Sequence, residues 1–329
     1  MNLHLVLACS SSDRTRPILD GRIVPEGIDL TCLDLPVEEV FFRMLRHREF
    51  DAAEMSLSSY VLSLFQSDPP FVAIPVFPSR FFRHSCIFVH EGSGIRAPED
   101  LAGRRVGTPE YQMTAGVWIR GILSDDYGVP VTSMTHVTGG EEQAGRPEKI
   151  PLALPASIRV EPIGAGQTLS AMLESGAIDA LFAARTPSTF GAGRGRVRRL
   201  FEDYPAVERD YYRRTGIFPI MHTLVIRRDL YERHRWVAQS LFKAFAAALR
   251  RAYGDLDETA ALTTMLPWLT RHAEETRDLM GEDFWPYGLE PNLQALDTFL
   301  RYSFEQGLSR RRLSARDLFA PESLESFRI

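Results

Sequence analysis

The stretch Pro98-Glu99-Asp100-Leu101-Ala102-Gly103-Arg104-Arg105-Val106-Gly107 decides how the chain is read. A turn rich in proline and acid closes one unit at Gly103, and Arg105-Val106-Gly107-Thr108 opens a new strand. Further on, Leu173-Glu174-Ser175-Gly176-Ala177-Ile178-Asp179-Ala180-Leu181 leaves a helix through its terminal glycine and enters another strand. Between these signals the spacing predicts a helix over 114–128, with Val117, Trp118, Gly121 and Ile122 on one face. A polar, glycine-rich loop over 137–147, a strand over 160–163, a helix over 169–176 and a strand over 177–184 ending at Arg185 follow. The middle of the chain, residues 93–196, therefore reads as one α/β lobe.

Outward from that lobe the same alternation recurs. Residues 3–8 form an apolar run, Ser10-Ser11-Ser12-Asp13 supplies helix-cap chemistry for 14–19, and 27–33 is a second strand. Strand, capped helix, strand is the unit of a wound parallel sheet. A helix over 37–47 carries Val40, Phe41, Met44 and Leu45 on one face. Phe50-Asp51-Ala52-Ala53-Glu54-Met55-Ser56 is a strand with a polar end, and in open α/β sheets ligands bind at the carboxyl ends of strands. From Val197 the pattern predicts connecting segments, a strand over 222–226 and one long helix over 230–253. The aromatic turn Asp283-Phe284-Trp285-Pro286-Tyr287-Gly288 interrupts a helical remainder. Residues 1–92 and 197–329 are expected to build the other lobe. The arginines at 194, 196, 198 and 199, like Arg310, Arg311 and Arg312, are expected in solvated loops.

With 329 residues, 44% apolar and 25% charged, the chain has the composition of a soluble globular protein of one large domain or two moderate lobes. A net charge of −5 argues against a nucleic-acid partner. Apolar runs fall short of the roughly 20 residues a membrane helix needs. Val6-Leu7-Ala8-Cys9 lacks the basic and apolar parts of an export signal, so a cytoplasmic location without membrane partners is expected. Cys9, Cys32 and Cys86 are scattered, which suggests neither a disulfide framework nor a zinc site.

Against this acidic background, Pro75-Val76-Phe77-Pro78-Ser79-Arg80-Phe81-Phe82-Arg83-His84-Ser85 is cationic and aromatic, with no acid from Pro69 through His90. Guanidinium pairs carboxylate in a planar fork, phenyl faces cover an aromatic ring, and histidine exchanges a proton near neutral pH. A small aromatic anion fits these residues; a basic loop paired with acids elsewhere is the alternative.

Two resemblances extend the reading. The turn-and-strand segments quoted first resemble the type II periplasmic binding protein fold, which implies two α/β lobes joined by two crossovers with a cleft between them. The cationic stretch resembles the 4,5-dihydroxyphthalate decarboxylase family on that fold, as do Tyr111-Gln112-Met113-Thr114-Ala115-Gly116-Val117-Trp118-Ile119-Arg120-Gly121, Gly216-Ile217-Phe218-Pro219-Ile220-Met221-His222 and the aromatic turn. That resemblance implies loss of one carboxylate from a dihydroxylated phthalate, giving protocatechuate and carbon dioxide. No pyridoxal, thiamine or flavin motif is visible.

In this reading Arg80 and Arg83 hold carboxylate, with Phe81 and Ser85 beside them. His84 is the first proton carrier and His222 the second, and Glu54 is a base or orients a histidine. Thr108, Tyr111 and Thr114 flank a helix start suited to an anion; Arg185, Trp285 and Tyr287 complete the candidate contacts. No resident metal is expected, although Glu54, His84 and His222 would be the ligands of a divalent ion. Arg83 and His84 point oppositely on an extended strand, so both reach a ligand only from a loop or kink. The competing class is a solute-binding protein that delivers a carboxylate to a transporter. Either class meets a small molecule, and a homo-oligomer is compatible with both.

Overall fold

The computed structural model describes residues 2–191 and 195–324; Arg194 of the expected arginine loop lies outside them. The chain divides into two compact units. The first comprises residues 1–80, 220–296 and 313–329, and the second 81–219 and 297–312.

In the first unit, strands β1 (Leu3–Cys9), β2 (Ile28–Asp34), β3 (Ala52–Ser56) and β4 (Phe71–Ile74) join a late strand, His222–Arg227, in the order β2, β1, β3, His222–Arg227, β4. β1 runs parallel to β2 and β3, whereas the late strand is antiparallel to β3 and β4. Every residue of β3 is buried, as expected of a strand covered on both faces. Helices α1 (Arg16–Leu19), α2 (Val37–His47) and α3 (Leu57–Ser63) connect these strands. α2 buries Val40, Phe41 and Met44, with Glu38 and Glu39 in its first turn and Arg46 and His47 in its last, as the helix dipole favours. The expected cap of α1 is arranged differently. Thr15 precedes the helix and bonds back to Ser12, which leaves Ser10 free to turn toward β3.

The second unit holds β5 (Ile87–His90), β6 (Arg105–Thr108), β7 (Thr135–Thr138), β8 (Arg159–Pro162), β9 (Ala180–Phe182) and β10 (Val197–Arg199), in the order β10-β5-β9-β6-β7-β8. Helices α4 (Thr114–Tyr127), α5 (Leu169–Ser175) and α6 (Tyr204–Thr215) belong to it. Gly121 in α4 has a packing reason: a Cβ there would stand 2.1 Å from the Tyr302 ring. Trp118, one turn earlier, meets both Phe299 and Tyr302.

Several elements differ from the sequence reading. β5 and β10 pair in the second sheet, so residues 81–92 and 197–219 fold with the middle segment and the unit borders move outward from 92 and 197. The expected solvated loop at Arg198 and Arg199 is instead β10. Arg199 stacks on Phe88, Phe190 and Tyr204 and donates its Nε–H to the Ser85 carbonyl at 3.0 Å. α6 was not anticipated. The expected helix over 230–253 is broken at His234 into α7 (Arg228–Arg233) and α8 (Trp236–Leu256). The strand His222–Arg227, hereafter β11, matches its expectation with one added residue. Two further helices, α9 (Leu269–Met280) and α10 (Leu293–Glu305), close the described chain.

Candidate active site

The C-terminal edge of the first sheet is where chemistry-bearing side chains meet. β3 places Glu54 in mid-strand, 1% exposed, so its carboxylate must be paired. It has three donors. Ser10, just past β1, gives its backbone N–H at 3.0 Å and its hydroxyl at 2.8 Å to Oε2. His222, the first residue of β11, sets Nδ1 2.6 Å from Oε1. The antiparallel register aligns His222 with Ser56 and Leu224 with Glu54, which brings the histidine back over the carboxylate. Burial alone would raise the Glu54 carboxyl, but the bonds from His222 and Ser10 outweigh it and hold the group below its ordinary value. Phe41 of α2 lies edge-on to the imidazole, centroids 4.9 Å apart. The ionised carboxylate therefore accepts from Nδ1–H of His222, whose side chain is 17% exposed.

Around this pair the first unit gathers cations and aromatic rings. Arg14 gives Nε–H to the Pro78 carbonyl at 2.6 Å and lies 4.2 Å over the Trp285 ring. Trp285 in turn donates its indole N–H to the Phe77 carbonyl at 2.8 Å. The aromatic turn is tied down further by Gly288 N–H to Pro75 O at 2.8 Å and by Asn292, which donates to the carbonyls of Pro286 and Gly288. Tyr287 packs edge-on to Phe77, and its enclosed hydroxyl has no hydrogen-bond partner.

Arg80 differs from its expectation as an open clamp. It is 5% exposed and is bonded to Pro286 O at 2.7 Å and to the Asn292 side-chain oxygen, so it braces the aromatic turn from below.

The other half of the cationic stretch lies in the second unit, where a 3₁₀ turn runs over His84–Cys86. The kink exists, yet it turns the side chains inward. His84 is 2% exposed, wedged against Phe201 and Tyr211, and neither ring nitrogen has a hydrogen-bond partner. Burial pulls its pKa down to about 4, so it is a neutral, buried imidazole at pH 7. Arg83, 7% exposed, stacks on Phe81 and reaches the Ala184 carbonyl at 3.5 Å. Ser85 gives its N–H to Glu208 at 3.0 Å. Phe81 is half exposed.

Tyr111 is also turned inward, its hydroxyl on the Gln306 carbonyl at 3.0 Å and its ring against the Arg120 guanidinium. Thr108 ends β6 and bonds to the Glu110 carbonyl, Thr114 opens α4, and both are buried. Arg185, past the end of β9, is exposed. Among the described residues no group of three or more histidine, cysteine or acidic side chains is placed to hold a metal ion. No described helix is long and apolar enough to cross a membrane.

Sequence reasoning missed Ser10 and Arg14. Their signal was the serine-rich segment at the end of an apolar strand, which reads equally as a helix cap.

Two sheets of this order define a fold class. The chain has the fold of the periplasmic solute-binding proteins: it aligns with a sulfonate-binding protein of Methylobacillus flagellatus over 98% of its length and 92% of that chain, TM-score 0.57, at 13% identity. The aliphatic sulphonate-binding protein of Escherichia coli aligns over 97% and 98%, TM-score 0.54, also at 13% identity. No family model matches the sequence. Among curated proteins, a 4,5-dihydroxyphthalate decarboxylase of Comamonas testosteroni is 42% identical over 327 residues, 99% of each chain. One of Pseudomonas putida is 43% identical over 211 residues, 64% of this chain and 82% of that one. The chain belongs to the 4,5-dihydroxyphthalate decarboxylase family.

Proposed function

We propose that this chain removes one carboxylate from 4,5-dihydroxyphthalate to give protocatechuate and carbon dioxide, with His222 as the proton carrier. The observation that carries the chemistry is the Ser10–Glu54–His222 chain of hydrogen bonds, which links the parallel strands β1 and β3 to the antiparallel β11; the name of the relatives supplies the substrate.

The substrate provides its own electron source. Each carboxylate has a hydroxyl para to it, and ionising that hydroxyl puts electron density on the ipso carbon. A proton then adds at that carbon, carbon dioxide leaves with the carbon–carbon bond's electrons returning to the ring, and the phenol is restored. One proton enters and one carbon dioxide departs, so the reading requires no redox partner and no electron-sink cofactor. His222 delivers the proton from Nε2, and Glu54 stabilises the imidazolium that precedes delivery. Such a placed acid contributes about 10²- to 10⁴-fold. The net charge of −5 supports a small anionic partner over a polyanion. A cytoplasmic location is part of the proposal, and the three unpaired cysteines accord with a reducing compartment.

The test is incubation of chelator-treated protein with 4,5-dihydroxyphthalate, with and without added divalent metal, following carbon dioxide and protocatechuate by mass spectrometry. Product without metal is the expected result. Product only with metal would remove the cofactor-free part of the reading. Substrate returned unchanged while the melting temperature rises would replace the enzyme with a binding protein.

A further inference from the structure

We propose that Arg14, laid on the face of Trp285, is the guanidinium that grips the carboxylate the substrate retains. The inference rests on the decarboxylase reading and assigns the anionic end of that same site. Arg14 lies four residues past Ser10, in the segment that leaves β1, and so shares the sheet edge with the proton-carrying pair.

Its guanidinium is held on two sides. Nε–H is bonded to the Pro78 carbonyl at 2.6 Å, and one face rests 4.2 Å above an indole that is itself fixed by Phe77 O. That support sets the plane of the group before any ligand arrives, which is the condition for two-pronged carboxylate recognition. Among the described residues the remaining edge meets Asp13, at 2.7 Å, the side chains being 19% exposed for Arg14 and 53% for Asp13. An ion pair so open to water is weak, and an incoming carboxylate of fixed geometry can replace it.

Three neighbours agree with this assignment. Trp285 supplies an aromatic face beside the cation, suited to a benzene ring. The Tyr287 hydroxyl is enclosed and, among the described residues, has no hydrogen-bond partner; burial acts on it most, with smaller electrostatic contributions from Arg14, Arg80, Glu54 and Asp13. Arg80, the cation the sequence favoured, is committed to Pro286 O and Asn292 and is only 5% exposed.

The test compares two small ligands by titration calorimetry. Protocatechuate carries the retained carboxylate, and catechol is the same ring without it. Arg14→Met is expected to weaken protocatechuate binding roughly 10- to 100-fold and to raise KM for 4,5-dihydroxyphthalate by a similar factor, with catechol binding unchanged. Arg14→Lys keeps the charge and loses the fork and the stacking, so it should fall between wild type and Arg14→Met. It also serves if the methionine variant folds poorly. Unchanged protocatechuate affinity in both variants overturns the assignment, and so does an equal loss for catechol, which would mark Arg14 as a wall of the pocket. If wild type makes no product yet binds protocatechuate in an Arg14-dependent way, the carboxylate site stands and the decarboxylase reading falls.

Discussion

His222 and His84 are both largely enclosed histidines, one in each unit, and they differ in a single respect that decides their chemistry. His222 has a buried carboxylate on Nδ1 and a side chain that is 17% exposed. His84 has aromatic rings and no polar partner, and its pKa falls to about 4. Burial by itself disfavours the imidazolium, and an adjacent ionised carboxylate opposes that effect. The cationic stretch that stands out in the sequence therefore contributes a core histidine, and an unremarkable strand start contributes the histidine paired with Glu54, the proton carrier of the proposal.

The strongest way to break this contrast is His222→Gln. Turnover should fall about 10²- to 10⁴-fold while phthalate, which lacks the para hydroxyl, binds as before; full turnover in this variant would end the assignment. The second probe is the stability of the wild type against acid. His84 has a lower pKa folded than unfolded, so the unfolded chain binds more protons between them. The associated stability is present above pH about 6.5 and is lost as pH falls toward 4, by roughly 3 kcal/mol. His84→Phe should flatten that part of a pH series of denaturant melts and leave turnover near wild type. A variant that folds but does not turn over would return His84 to the active site.

A smaller effect sharpens the role of Ser10. Removing its hydroxyl in Ser10→Ala takes one donor from Glu54, whose depressed pKa stabilises the fold above the ordinary carboxyl range and less as pH falls through it. The acid limb of kcat/KM should move to higher pH, with about a 10-fold loss at neutral pH, and Ser10→Thr should restore the profile. An unchanged profile would leave Ser10 a packing residue. Smallest is Tyr111→Phe, which removes the bond to Gln306 O: about 1 kcal/mol of stability is expected to go, with kcat unaltered.

Much of the fold was readable locally. α2 keeps its expected bounds, β1, β2 and β6 fall within a residue or two, and β11 begins at the histidine, because these elements follow from hydrophobic period and turn chemistry over a few residues. The missed elements have a different cause. β10 is arginine-rich and becomes a strand through pairing with β5 and stacking on aromatic rings, neither of which a local pattern reports. In the site, Glu54 and His222 were legible as polar residues on apolar strands. Ser10 and Arg14 were not, since their partners lie 44 and 64 residues away.

The order of hydrophobic and turn residues was enough to settle the α/β class, the alternation of strands and helices, and a shortlist of groups able to carry protons or bind anions. Which of those groups meet was settled by sheet order. Inserting β3 between β1 and β11 brings Ser10 and His222 onto one buried carboxylate, whereas the 3₁₀ turn at His84–Cys86 folds the more conspicuous histidine into a core. Charge and proton affinity depend on neighbours within a few ångströms, and those neighbours are assigned by strand pairing across distant parts of the chain.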